Sequence, residues 1–219
     1  MDIRNFIAKN AASKLEDGML VNLGFGIPTE IPKFIPEEVS VYFQAECGVV
    51  GYRSLEAGEE EDEDFVDAAG DPVGLLPYAS LFDSAMSFGM MRGGHLDYTV
   101  LGALQVDAKG NVANWRIPNH TMIGVGGAMD LVSGAKNVMI CMEHCSKDGK
   151  PKILNQCSMP ITGAGEVDYI VTEMAMIRPT KEGLMLEAIA PGLTVEEVQS
   201  KTEPTLIVSP ALKTMLTVD

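Results

Sequence analysis

Glu46 and Cys47 stand side by side in "VYFQAECGVVGY", residues 41–52, where an apolar, β-rich run stops. A glutamate can act as a general base or as a covalent nucleophile, and a thiolate can act as a nucleophile. Cys47 has no activating base beside it in sequence, which ranks it below Glu46. A carboxylate at the C-terminal end of a strand also lies where open α/β sheets place their ligands. Neighbours on an extended strand point to opposite faces. If that geometry continued through the turn, only one of the pair would face a given cleft.

Two glycine loops offer backbone amides. In "NLGFGIPTE", residues 22–30, Gly24 and Gly26 lie between a strand and a helix, where amides and the helix dipole meet phosphates. A dinucleotide fingerprint needs a third glycine at 29 and an acidic ribose partner. Thr29 occupies that position and no such partner is evident, which reads against a Rossmann site. A tight turn with positive φ and a close approach to a ligand explain these glycines equally well. In "MIGVGGAMDLVSGA", residues 122–135, Gly124, Gly126 and Gly127 precede an expected helix start at Ala128. Such a run costs chain entropy. Amides aimed at an oxyanion would account for it, and so would a loop crossing tightly against a strand.

Two polar clusters carry less. Cys141, His144, Cys145 and Cys157 include zinc-ligand types, but there is no paired C-x-x-C knuckle and Cys141 falls inside an apolar run. The cysteines read as small buried hydrophobes, His144 as satisfying a backbone group, and no metal is expected. Arg92, His95 and Asp97 have no G-x-S-x-G nucleophile elbow to serve, and His95 and Asp97 read as a polar loop or a packing network.

The elements that position these residues follow from periodicity. Ile3, Phe6, Ile7, Ala11 and Leu15 recur at helical spacing before Gly18. "MLVNLGFG" reads as a buried strand, with Pro28 in the first turn of a helix toward Phe34. "VSVYF" and "KNVMICM" read as strands, "LDYTVLGALQV" as β-rich, and "VDYIVTEMAMI" and "LMLEAIA" as one strand each. "DSAMSFGMMRGG" and "AMDLVSGA" read as helices, and "TVEEVQSKT" as a helix capped by Thr194. Strands alternating with helices predict an α/β fold with an open, mostly parallel sheet, here as a single domain over 1–219. The run "GEEEDEDF", residues 58–65, reads as a solvated loop.

Composition narrows the function classes. The chain has 219 residues, 46% of them hydrophobic, and a formal net charge of −15. That charge repels nucleic acid and acidic membranes, so neither is an expected partner. No apolar run approaches the ~20 residues of a transmembrane helix, and no secretory signal is visible. With four cysteines, these features predict a cytoplasmic protein with reduced thiols.

Several long motifs occur in order: "VNLGFGIPT" (21–29), "LLPYASLFDSAMSFGMMRGGHLD" (75–97), "LGALQVDAKGNVANWRIP" (101–118), "GVGGAMDLVSGA" (124–135), "MEHCSKDGKPKIL" (142–154) and "GLTVEEV" (192–198). On these motifs the chain resembles the second, or β, subunit of the family I 3-oxoacid CoA-transferases. That group includes the bacterial butyrate and acetate–acetoacetate enzymes and the C-terminal half of the single-chain mitochondrial succinyl-CoA:3-oxoacid CoA-transferase. The resemblance implies the CoA-transferase fold and a ping-pong transfer between an acyl-CoA and a short-chain or 3-oxo acid. The family's nucleophile is the glutamate of a "SENG" motif, which aligns with "AECG", so the role falls to Glu46 through a glutamyl-CoA thioester. Asn22, Gly24, Gly26, Gly126, Gly127 and Ala128 inherit oxyanion or CoA contacts. Coenzyme A is then a substrate and no cofactor is implied. The partner implied is a separate α subunit, in an α2β2 assembly, with the chain inactive alone.

Two departures accompany the resemblance. Ala45 and Cys47 replace the family's serine and asparagine, which bears on substrate preference. "DAAG", residues 67–70, stands where the family often carries "NAGK", so a lysine is missing. An acyl-CoA hydrolase of the same fold and a non-catalytic CoA-binding subunit are the alternative readings.

Overall fold

The computed structural model describes residues 2–68, 70–118 and 124–218. In chain order the elements are α1 (Ile3–Ala12), β1 (Leu20–Leu23), a 3-10 helix (Ile27–Phe34), β2 (Tyr42–Ala45), β3 (Val49–Arg53), β4 (Gly74–Leu81), α2 (Ser84–Arg92), β5 (Tyr98–Leu101), β6 (Gln105–Asp107), β7 (Val112–Ala113), α3 (Ala128–Gly134), β8 (Val138–Cys141), β9 (Ile153–Leu154), β10 (Tyr169–Val171), β11 (Ala175–Thr180), β12 (Gly183–Ile189), α4 (Val195–Ser200) and β13 (Leu206–Thr214).

Ten strands form an open sheet in the order β13-β12-β11-β10-β8-β5-β1-β2-β3-β4, and β7-β6-β9 form a smaller one. The central strands β10, β8, β5, β1 and β2 run parallel. β3 and β4 continue one flank antiparallel, and β11 and β12 the other. The expected open, mostly parallel α/β sheet is the observed architecture.

Two apolar clusters sandwich the sheet, and alternation along single strands assigns its faces. In β8, Met139 and Cys141 join the cluster of Phe6, Ile7, Val21, Leu23 and Phe43, while Val138 and Ile140 join that of Met91, Leu96, Leu131 and Ile170. α1 and the 3-10 helix cover the first face. α2, α3 and the small sheet cover the second, as the period of two along a strand requires. Helix α1 is capped by Asp2, whose carboxylate accepts the Arg4 amide. Thr194 caps α4 in a reciprocal box with Glu197.

Several expectations need correction. "VDYIVTEMAMI" is a hairpin of two strands, because the Thr172 hydroxyl accepts the amides of Met174 and Ala175 and turns the chain. The "VSVYF" strand begins only at Tyr42. Ser40 is held in a turn, its amide on Asp17 and its carbonyl on the Gly18 amide. The segment after Pro28 is a 3-10 helix with Pro32 inside it, since proline removes a helix-interior donor. Strand β13 has no counterpart in the sequence reading. It is a largely exposed edge containing Pro210, so no clean alternation marks it.

His144 is fully buried and its ring bonds the hydroxyls of Thr172 and Thr202 rather than a backbone group. Burial pushes its imidazole down to about 4. Asp97 accepts the Leu20 amide and Lys136 Nζ, the expected packing role. No group of three or more His, Cys, Asp or Glu side chains able to hold a metal ion occurs among the described residues. Nor is any helix among them long and apolar enough to cross a membrane. Residues 58–64 are exposed, and Glu59 pairs there with Arg53.

Candidate active site

Strand order reverses at β1, whose sequence neighbour β2 lies on one side and β5 on the other. Open parallel sheets bind ligands beyond the carboxyl ends of strands at such a switch point. A cleft of about 380 Å³ opens there. Asn22 to Phe25 at the end of β1, Glu46 after β2, Leu101 to Leu104 at the end of β5, and Val125 to Ala128 at the start of α3 line it.

Glu46 and Cys47 both lie in the hairpin turn between β2 and β3, so strand alternation stops before either. The Gly48 amide closes the turn on the Ala45 carbonyl, and the Gly48 carbonyl accepts the Phe82 amide at 2.9 Å. Gly48 has φ +124°, and a Cβ there would stand 2.0 Å from the Phe82 carbonyl oxygen, so this turn admits no side chain. The consequence is divergent aim. Glu46 faces the cleft half-buried, while Cys47 is exposed with Sγ 3.5 Å from the Val66 carbonyl.

The second glycine loop meets the carboxylate from across the cleft. The backbone of Gly127 lies against the Glu46 carboxylate and favours its charged form. A Cβ on Gly127 would lie 2.5 Å from Glu46 Oε2, and one on Gly126 3.8 Å from Oε1. At Gly127 the lack of a side chain lets the backbone approach a carboxylate, while Gly124 and Gly126 have positive φ. Burial raises the pKa of Glu46, the Gly127 backbone opposes that rise, and the charge of Asp130 adds to it. Burial likewise raises the Cys47 thiol, the reverse of an activated nucleophile.

Of the remaining inherited positions, Gly24 and Ala128 line the cleft and Gly26 does not. Gly24 crosses β5 closely, its amide on the Val100 carbonyl at 2.9 Å. Gly26 has φ +95° where the chain turns into the 3-10 helix. Asn22 borders the cleft, but its side chain is committed within the sheet. Nδ2 donates to the carbonyl and to Oε1 of Gln44, and Oδ1 accepts the Thr99 hydroxyl. Sequence reasoning missed Gln44, Thr99 and Ser87, all fully buried here. The available signal was a lone polar residue at the centre of each apolar run, "VNL", "FQA" and "YTV". In the glycine loop, Met122 and Ile123 lie outside the described residues, as does Ala69 of "DAAG".

Residues 6–201 match the Coenzyme A transferase family. The beta subunit of the acetate CoA-transferase of Escherichia coli K12 is 45% identical over 214 residues, 98% of either chain. The corresponding subunit of the succinyl-CoA:3-ketoacid coenzyme A transferase of Helicobacter pylori is 40% identical over 201 residues, 92% of this chain and 97% of that one. Among solved structures, the apoenzyme of an acyl-CoA transferase from E. coli O157:H7 superposes with a TM-score of 0.79 at 25% identity, covering 98% of this chain and 43% of that longer one. That enzyme has also been crystallised as a thioester complex with CoA. Relatives named as beta subunits imply an alpha-subunit partner. A carboxylate set against the Gly127 backbone at a sheet switch point thus occurs in a chain matched along nearly its whole length, and the chain belongs to the coenzyme A transferase family.

Proposed function

We propose that the chain is the catalytic β subunit of a CoA-transferase and that Glu46 is its covalent nucleophile. The observation that carries this reading is the half-buried Glu46 carboxylate held against the Gly127 backbone in a largely apolar cleft. The carboxylate attacks the acyl-CoA carbonyl, giving an acyl-glutamyl anhydride and free CoA thiolate. The thiolate attacks the glutamyl carbonyl of the anhydride, leaving a glutamyl-CoA thioester and releasing the first acid. An acceptor carboxylate then attacks that thioester, regenerating an anhydride and the thiolate. Attack of the thiolate on the acceptor acyl carbon gives the new acyl-CoA and frees Glu46. Thioester energy is conserved throughout, so no cofactor is required. Each addition builds an oxyanion, and the Gly126–Gly127 backbone is placed to receive one.

The cleft suits this use. Its volume falls in the range of small-molecule sites, and Leu23, Phe25, Leu101 and Leu131 give it apolar walls for a slender acyl thioester arm. Phe25 lines it at 74% exposure, and Met129, beside Ala128, is 40% exposed. Apolar side chains left open at a cleft rim fit closure by a second polypeptide. We assign that place to the α subunit in an α2β2 assembly. The acids are short-chain or 3-oxo acids, of the kind that acetate and 3-ketoacid transferase relatives are named for.

Co-expression with the α subunit, incubation with an acyl-CoA and peptide mass mapping should find the CoA adduct on Glu46. An adduct elsewhere, or acyl-CoA loss independent of added acid, would sink the assignment in favour of hydrolysis. A pH effect follows as well. Glu46 attacks as the anion, and burial raises its pKa from the ordinary glutamate value. The acid limb of kcat/KM for the acyl-CoA is therefore expected at higher pH than an unperturbed glutamate would give. Asp130→Asn removes a charge that raises that pKa, so its limb should move to lower pH; an unmoved limb contradicts this.

A further inference from the structure

Thr99, Asn22 and Gln44 are register neighbours across β5, β1 and β2. They project to the sheet face covered by α2 and α3, since the residues flanking each belong to the opposite cluster. Their hydrogen bonds run in one direction. The Thr99 hydroxyl donates to Asn22 Oδ1 at 3.3 Å, Asn22 Nδ2 donates to Gln44 Oε1 at 2.6 Å, and Gln44 Nε2 donates to Ser87 Oγ of α2 at 2.8 Å. All four side chains are at most 1% exposed. Apolar residues of the same shape would serve stability about as well, so stability alone does not explain this row. Its position does: Gln44 lies two residues before Glu46, and Ser87 lies in the middle of α2.

Helix α2 and its approach also touch the Glu46 turn, Gly127 and α3. The segment before it holds the Glu46 turn through the Phe82 amide on the Gly48 carbonyl. Farther along, the Phe88 ring stands 3.2 Å from where a Gly127 Cβ would be. Arg92 Nε pairs with Asp130 of α3 at 2.6 Å. Gly134 packs so closely on the Met91 carbonyl that a Cβ would come within 2.2 Å. Helix α2 and the residues leading into it therefore contact both the turn that carries Glu46 and the helix that follows Gly127.

We propose that Gln44 and Ser87 are positioning residues whose hydrogen bond seats α2 under β2, so that α2 sets the distance between the Glu46 carboxylate and the Gly127 backbone. The proposal rests on the reading of Glu46 as the nucleophile. Misplacement by a fraction of an ångström at a reacting centre acts on the chemical steps more than on binding.

The test uses the α/β complex with Ser87→Ala, Ser87→Cys and Ser87→Thr. For Ser87→Ala, kcat and the single-turnover rate of CoA-adduct formation are expected to fall on the order of 10- to 100-fold, with KM for the acyl-CoA changed less than about 3-fold. Ser87→Thr, which keeps the hydroxyl, should restore most of the rate, and Ser87→Cys should fall between. Should Ser87→Ala not fold, the Cys and Thr pair carries the same comparison. Wild-type kcat in Ser87→Ala, or equal losses in all three variants, overturns the proposal. If the wild-type complex transfers no CoA, the function assignment fails instead. The positioning claim is then decided by a crystal structure of Ser87→Ala, which should show Glu46 withdrawn from Gly127; an unmoved carboxylate overturns it.

Discussion

Glu46→Ala is expected to lower CoA transfer by the α/β complex on the order of 10³-fold or more, the scale on which losing a covalent nucleophile is felt. Glu46→Gln should be as inactive, because it fills the same space without a carboxylate oxygen able to attack. The two variants separate chemistry from packing: both should assemble with the partner and bind acyl-CoA, and neither should yield a CoA adduct. Robust turnover by either contradicts the nucleophile assignment. Glu46→Gln carries a thermodynamic signature too. Burial raises the folded-state pKa of Glu46, so the folded chain binds more protons than the unfolded one between the two pKa values. Stability therefore falls as pH rises from the unfolded value through the folded one, and the full cost is present at neutral pH. Glu46→Gln should raise the Tm of the chain at pH 7 and give no gain at pH 4, with a modest effect because the group is half open to water.

Gly127→Ala is expected to lose about 100-fold in kcat with little loss of stability. The added methyl would stand 2.5 Å from Glu46 Oε2 and 3.2 Å from the Phe88 ring. The first obstacle is the end of a flexible side chain, so the chain accommodates the methyl by moving the carboxylate aside. That displacement costs little folding free energy, yet it separates the nucleophile from the amide that would receive an oxyanion. Gly48 offers the contrast. There the obstacle is the Phe82 carbonyl and φ is +124°, so a side chain would disturb the backbone itself. A Tm scan beside steady-state kinetics distinguishes the two kinds of damage. A wild-type kcat for Gly127→Ala would show that the close approach has no part in turnover.

The large sheet was legible because its central strands are short apolar runs between turn signals, and buried parallel strands look like that wherever they occur. "NVMIC", "TVL" and "VNL" needed no tertiary information. Helix α4 was legible because its cap, Thr194 with Glu197, is local chemistry. The reading failed where long-range contacts override local pattern. A threonine hydroxyl bends "VDYIVTEMAMI" into a hairpin, and β13 pairs with β12 over a sequence that contains a proline. Glu46 could be singled out by its chemical type at a strand end. Gln44, Thr99 and Ser87 could not, since each is a single polar residue in an apolar run until three strands and a helix bring them together.

By itself, the sequence determined the α/β class, the strand-end carboxylate and the two glycine loops, all of which depend on residue type and short-range spacing. Only the tertiary structure gave Glu46 and Cys47 different surroundings, the first lining the cleft and the second exposed beside the Val66 carbonyl. Their divergence comes from a turn clamped to the Phe82 backbone, more than thirty residues farther along the chain. It also set the second glycine loop against the Glu46 carboxylate. Gly127 and Glu46 are about eighty residues apart in the chain, and they meet because the parallel sheet delivers both to the same carboxyl-end cleft. Local sequence carries no record of such a meeting, because it is created by the packing of α2 and α3 on the sheet.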